Sequence, residues 1–369
     1  MNAPRHLLIL TSKTGGGHVS LAESLADLLA EDFTSSVIDP QPRWIHRHYQ
    51  LVSRYALWLW SAEFQLSNTP GRASRAHKLF SGLIRSRLRA LIAKERPAAV
   101  LSTYPFFSYS VQKIAPQMPL VLLYSDPRTL HQAWLTVKDA ALHLAPSREV
   151  YAQALAARVQ PDKTHLIGWP TRRQFYAPDP SAADWAWAET GFNRQRLTVF
   201  LQGGGEGSAG FARTVEQLLA LADSHGQPAL QLILAAGTNQ LLQRRFQGRP
   251  GCHALPFTKT IAPWMACADL VMGKAGPNML FESVTLGKPF LATTFIPGQE
   301  EGNLEMIRSY GLGWVALTGE EQIGLIKNIL RQPEALAAKR ATVEVYRAWN
   351  QAGIAKVPSL VQAAISARG

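Results

Sequence analysis

The sequence predicts an α/β protein of two Rossmann-like, doubly wound parallel-sheet domains, and three observations predict it. The chain has 369 residues, too many for one ordinary core. Short apolar runs alternate with helical patterns, the mark of βαβ units and a parallel sheet covered by helices. The alternation breaks once, in a Pro-, Ala- and Trp-rich stretch from Trp169 to Arg196, and then resumes.

Taken in order, the first series of strands reads LLIL (7–10), SSVID (35–39), AAVLST (98–103), LVLLYSD (120–126), ALHLAP (141–146) and THLIG (164–168). The second reads LTVFLQGGGEG (197–207), LQLILAAG (230–237), CHALPF (252–257), ADLVMGKAGP (268–277) and KPFLATTFIPG (288–298). From Glu320 onward only helical patterns remain. The expected division is an N-terminal domain over 1–168, a linker over 169–196, a C-terminal domain over 197–345, and a helix over 346–369 packing back on the N-terminal domain. Two such domains would place ligands at the carboxyl ends of their sheets, facing each other across a cleft.

Composition narrows the class. An apolar share of 47% with 17% charged residues is that of a globular protein. Cys252 and Cys267 have no metal-ligand spacing and form no disulfide framework, which points to a reducing compartment. The opening apolar run is too short for a signal peptide, and no run of 18 apolar residues suggests a membrane span. The net charge of +12 is uneven: from Arg43 to Arg96 there are eleven Lys or Arg against Glu63 and Glu95.

Three glycine turns carry the chemistry. The first, TSKTGGGHVS (11–20), joins a strand to a helix and ends in His18. Converging amides and a helix N-terminus make an anion site there. Asp39, closing the second strand, suits a dinucleotide ribose, but Ser20 stands where that fingerprint needs its third glycine. His18 is a candidate base, kept neutral by the helix dipole; the plain alternative is a histidine hydrogen-bonded within the turn. The second turn, Gly203-Gly204-Gly205-Glu206-Gly207, is a better phosphate cradle or else a simple strand-to-helix turn. The third has Lys274 inside GKAG and Pro277 as a first helical residue. Glu282 follows on that helix as a ribose acceptor, and Pro297-Gly298-Gln299-Glu300 ends the next strand with groups suited to sugar hydroxyls.

The set GGGH, SDPRTLHQAW (125–134), GGGEG, GKAGP with its following glutamate, and PGQEEGN resembles the monogalactosyl- and glucosyl-diacylglycerol synthases. These belong to glycosyltransferase family 28 and are related to the peptidoglycan N-acetylglucosaminyltransferase. The resemblance implies a GT-B fold and inverting, metal-independent transfer from a UDP-sugar to a lipid, most simply diacylglycerol, with no cofactor. It puts Gly204, Gly205, Gly207, Lys274, Gly276 and Pro277 on the diphosphate, Phe257 and Thr258 on uracil, Glu282 on the ribose, and Gln299, Glu300 and Asn303 on the sugar. On the acceptor side it implies Gly16, Gly17 and His18, with Asp126, His131 and Trp134 lining the cleft and Asp126 or His131 as alternative or helping catalytic groups. Asn278 and Ser125 depart from the family pattern without touching a proposed charge.

The basic segment then reads as a membrane contact, with packing of its aromatics in the core as the plain alternative. WIHRHYQLVSRYALWLWSAEF (44–64) sets Trp44, Trp58 and Trp60 among Arg47, Arg54 and histidines, as an interfacial helix on an anionic bilayer does. No nucleic-acid motif appears, so nucleic acid is not expected as a partner. The expected location is the cytoplasmic face of a membrane, peripherally attached. The rival functions are a muramyl-lipid N-acetylglucosaminyltransferase, a UDP-sugar 2-epimerase and a dinucleotide-binding oxidoreductase.

Overall fold

The computed structural model describes residues 4–13, 16–47, 68–202 and 211–367. Its contacts divide into two units: Met1–Arg172 with Ile296–Gly302 and Trp349–Gly369, and Arg173–Phe295 with Asn303–Ala348.

In the first unit, six strands form one parallel sheet: β1 Arg5–Leu10, β2 Phe33–Ile38, β3 Ala99–Ser102, β4 Leu120–Leu123, β5 Leu142–Ala145 and β6 Thr164–Leu166. Their spatial order is β2-β1-β3-β4-β5-β6. A parallel strand buried on both faces reads as an unbroken apolar run, which is why Leu7 to Leu10 are wholly buried. The helix Gly17–Leu29 returns along this sheet, burying Leu21, Ala22, Leu25 and Leu29 at helical spacing. The long helix Pro70–Glu95 starts with proline in its first turn and stops at Arg96 in the left-handed region (φ 44°). It sets Ile84 and Leu88 into a core with Leu8, Val100, Leu122, Tyr124 and Trp134. Truncating Leu88 to alanine would cost about 2–5 kcal/mol.

The second unit repeats the plan with β7 Thr198–Gln202, β8 Gln231–Ala235, β9 Cys252–Leu255, β10 Leu270–Lys274, β11 Phe290–Thr294 and β12 Gly313–Val315. Their order is β12-β11-β10-β7-β8-β9, again all parallel. The strand β12, three residues long, is absent from the sequence reading. Val199, Leu201, Leu232, Leu234, Leu270 and Met272 fill the core. The stretch 169–196, read from sequence as the linker, contains the helices Arg173–Tyr176 and Pro180–Thr190. The second of these is capped by Asp179, which accepts from the Ser181 amide, and stopped by left-handed Gly191. Helices alone follow Gly319, as expected: Gly319–Arg331, Pro333–Ile354 and Val357–Ser366.

Strand order locates the ligand end of each sheet. The direction of winding reverses between β1 and β3 in the first unit and between β7 and β10 in the second. Ligands of doubly wound sheets bind beyond the carboxyl ends of the two strands flanking such a reversal.

Candidate functional site

In the first unit the reversal brings the loop after β1 to the loop after β3. His18, second residue of the helix Gly17–Leu29, sets its Nδ1 2.8 Å from the carbonyl oxygen of Thr103. A carbonyl only accepts, so Nδ1 carries the proton and Nε2 keeps its lone pair. Thr103 answers through its hydroxyl, which donates to the His18 carbonyl at 3.2 Å. The Tyr104 ring meets the imidazole edge-on at 5.1 Å. Burial lowers the His18 pKa to about 4, against the Thr103 carbonyl and the charge of Asp39, which both favour the protonated form. The expectation of a neutral imidazole stands, but the main cause is burial rather than the helix dipole. Gly16, in front of it, is the exposed N-cap of the helix.

Asp39 is fully engaged in structure. Its Oδ2 accepts from the Lys13 amide (2.6 Å) and lies 2.7 Å from His46 Nε2, and its Oδ1 accepts from the Gln41 amide (2.8 Å). This carboxylate fastens the loop after β1 to the segment after β2, which removes the ribose role that the dinucleotide reading gave it.

The loop after β4 carries the other acceptor-side candidates. Asp126 Oδ2 accepts from the His131 amide at 3.2 Å. Burial raises its pKa to about 6, while that amide and the Trp134 indole favour the charged form. His131 is buried and spends Nδ1 on accepting the Ala133 amide (3.1 Å), so in the neutral ring its proton sits on Nε2. Trp134 does not line an open surface: it is 0% exposed and packs against Tyr124 in the core. Its size and apolarity place it beneath the loop, a correction to the acceptor role expected from sequence.

Sequence reasoning missed three residues around these loops. His77, fully buried against Phe106, has its pKa lowered to about 4 by burial. Gln153 clamps the loop, accepting from the Leu130 amide (3.0 Å) and donating to the Arg128 carbonyl (2.7 Å). Thr103 acts through a backbone carbonyl, which no residue type announces.

The PGQEEG segment also falls in the first unit, although the sequence reading gave it to the C-terminal domain. A Cβ on Gly302 would stand 3.0 Å from the Arg128 Cβ, tighter than ordinary contact, so glycine eases the close approach of this segment to the Arg128–Thr129 loop. Glu300 is buried, and its Oε2 accepts from the Ile296 amide at 2.7 Å, folding the segment on itself. Gln299 is exposed.

In the second unit, Gly204, Gly205 and Gly207 lie outside the described residues. The β10 side of the reversal is described. Gly273 is compelled by close approach, since a Cβ there would come within 2.1 Å of the Gln202 carbonyl oxygen at the end of β7. Lys274 ends β10, the Gly276 amide turns back to the Lys274 carbonyl (2.7 Å), and Pro277 opens the helix Pro277–Thr285 with Gly276 as N-cap. A cation and a helix N-terminus thus stand together at one carboxyl end, a site for negative charge. Asn303 is buried and donates to the Ala275 carbonyl at 2.7 Å, bracing this turn rather than standing open. Glu282 lies on the same helix, 6% exposed. Beyond β9, Phe257 is 57% exposed, and Thr258 accepts the Thr260 amide at its hydroxyl (3.1 Å).

Of the expected membrane residues, Arg54, Trp58 and Trp60 lie outside the described residues, while Trp44 and Arg47 are exposed in a short helical turn over 43–47. The helix Pro70–Glu95 adds what the sequence reading left undivided. Leu79 (76% exposed) and Leu83 (53%) point outward amid Arg72, Arg75, Lys78 and Arg85. Among the described residues no helix is long and apolar enough to cross a membrane.

Known proteins match both halves. Residues 25–171 match the family described as monogalactosyldiacylglycerol (MGDG) synthase, and residues 198–308 the glycosyltransferase family 28 C-terminal domain. A probable monogalactosyldiacylglycerol synthase 2 of Oryza sativa is 27% identical, over 84% of this chain and 70% of its own. A processive diacylglycerol beta-glucosyltransferase of Staphylococcus saprophyticus is 23% identical, over 93% and 89%. Among solved structures, Acinetobacter baumannii MurG superposes with a TM-score of 0.62 at 14% identity, over 97% of this chain and 99% of its own. Anabaena HepE in complex with UDP-glucose does so at 0.57 and 14%, over 97% and 99%. At such identities these two speak for the fold alone.

Proposed function

From the premise that the chain belongs to the family 28 glycosyltransferases of GT-B fold, in the branch of the diacylglycerol glycosyltransferases, we propose that it moves a hexosyl group from a UDP-sugar to a membrane lipid, most simply 1,2-diacylglycerol. The observation that carries this reading is the neutral His18, its Nδ1 fixed on the Thr103 carbonyl and its Nε2 left with a lone pair. A group of that kind takes the proton of an acceptor hydroxyl at neutral pH. Asp126 and His131 serve it less well, the first engaged by the His131 amide and the second with its Nδ1 spent.

The reaction then balances simply. His18 Nε2 accepts the hydroxyl proton, and the oxygen forms a bond to the anomeric carbon from the face opposite UDP. The bond from that carbon to the β-phosphate oxygen breaks, and its electron pair leaves with the diphosphate, so configuration inverts. Lys274 and the N-terminus of the helix Pro277–Thr285 stabilise the leaving charge by preorganised electrostatics, a role that needs no metal. The glycine turn before Phe211 shares that role in this reading, Phe257 and Thr258 meet the base, and Glu282 takes the ribose. Trp44, Arg47 and the exposed leucines of the helix Pro70–Glu95 support peripheral attachment to an anionic membrane; the cytoplasmic side remains the expectation of the resemblance.

The test combines purified protein, diacylglycerol vesicles and labelled UDP-sugars, with and without EDTA. Transfer to diacylglycerol that survives the chelator supports the reading. UDP release with no labelled glycolipid, or activity abolished by EDTA and restored by a divalent cation, contradicts it.

A further inference from the structure

The four-residue helix Arg173–Tyr176 has no place in the reaction just described, yet one of its side chains makes three hydrogen bonds where one loop runs into the helix Ala262–Ala266. Gln174 Oε1 accepts from the amides of Ile261 (2.9 Å) and Ala262 (3.0 Å), and Nε2 donates to the carbonyl of Lys259 (3.0 Å). This loop leaves the carboxyl end of β9 and carries Phe257 and Thr258. Its tip stands largely in solvent, with Phe257 57% exposed. The same short helix packs on the helix Pro277–Thr285, whose N-terminus holds the Lys274 turn. One amide therefore joins the loop beyond β9 to the helix that forms the anion end of the unit.

We infer that Gln174 is a positioning residue for nucleobase recognition, fixing the backbone at Lys259, Ile261 and Ala262 so that the adjoining Phe257 and Thr258 are held where they can read the edge of the base. The inference rests on the reading of Phe257 and Thr258 as the base contacts. Backbone groups discriminate a base only when their carbonyls and amides are fixed in place. A loop with an exposed tip gains that fixity from outside. The amide suits the task chemically. Its oxygen satisfies two N–H groups and its nitrogen one carbonyl, a combination that glutamate reproduces at one end only and alanine at neither.

The experiment is calorimetric titration of the full chain with UDP and with ADP, alongside donor kinetics. The wild-type protein is expected to prefer UDP. Gln174→Ala is expected to lose about tenfold in UDP affinity, the net worth of one to two hydrogen bonds. Binding of ADP, held by its phosphates, changes little, so the UDP-to-ADP ratio falls. KM for the donor rises while kcat at saturation stays near wild type. Gln174→Glu falls between the two, and it carries the same comparison if the alanine variant does not fold. A ratio that either folded variant leaves at the wild-type value overturns the inference. A wild-type protein without any preference for UDP overturns the base reading itself, and the inference with it.

Discussion

The two units are built to one plan and differ at one place. Each has a six-stranded parallel sheet with a reversal in strand order, and each gathers its polar groups at the carboxyl ends flanking that reversal. In the first unit the reversal holds an imidazole stripped of its charge by burial and keyed to a backbone carbonyl. In the second it holds a lysine side by side with a helix N-terminus. In the proposed reaction the same scaffold would serve once as a proton acceptor and once as an anion cradle, and the difference lies in a few loop residues. Even the bracing is parallel: a glutamine fastens the loop after β4 in one unit and the loop after β9 in the other.

The widest effect should come from breaking the proton side alone. His18→Ala is expected to cut turnover by about 10²–10⁴-fold, the usual weight of a general base, while UDP affinity measured by calorimetry stays unchanged. The complementary variant, Lys274→Ala, should weaken UDP binding by about tenfold or more through loss of a charge-assisted contact. If His18→Ala weakened UDP and Lys274→Ala did not, the division between the units would be reversed. A smaller effect sharpens the account of the first unit's surface. Replacing Leu79 and Leu83 with aspartate should reduce sedimentation with anionic vesicles by roughly tenfold, since each buried leucine contributes about 1.5–3 kcal/mol in full and only part is realised at an interface. Equal sedimentation of the variant and the wild type would remove the helix Pro70–Glu95 from membrane attachment.

Much of this was legible in the sequence, for identifiable reasons. Runs such as LLIL and LVLL are buried on both faces and announce parallel strands whatever their neighbours. GKAGP marks its turn because glycine, lysine and proline each have a local reason to stand there. The strand Gly313–Val315 was not legible, since three residues establish no period. The helix Pro180–Thr190 had its signals, Asp179-Pro180 at one end and Gly191 at the other, but its tryptophans and alanines hid the apolar stripe. Trp134 illustrates the opposite limit. A large aromatic beside a candidate carboxylate suits a ligand wall or a core equally well, and only its packing on Tyr124 decides for the core. The partners that orient the site, the Thr103 carbonyl and the amides of Gln153 and Gln174, leave no trace in the sequence because their meaning depends on tertiary approach.

The central claim, that the first unit supplies an imidazole base, is tested most directly by the dependence of kcat/KM on pH between 4 and 8. His18 is protonated and inactive below its pKa of about 4 and neutral above it, so the account predicts a rate nearly level from pH 5 to 8 that falls only toward pH 4. Asp126, with its pKa near 6, would instead be protonated below that value, and an acid limb centred there would contradict the account and make Asp126 the base.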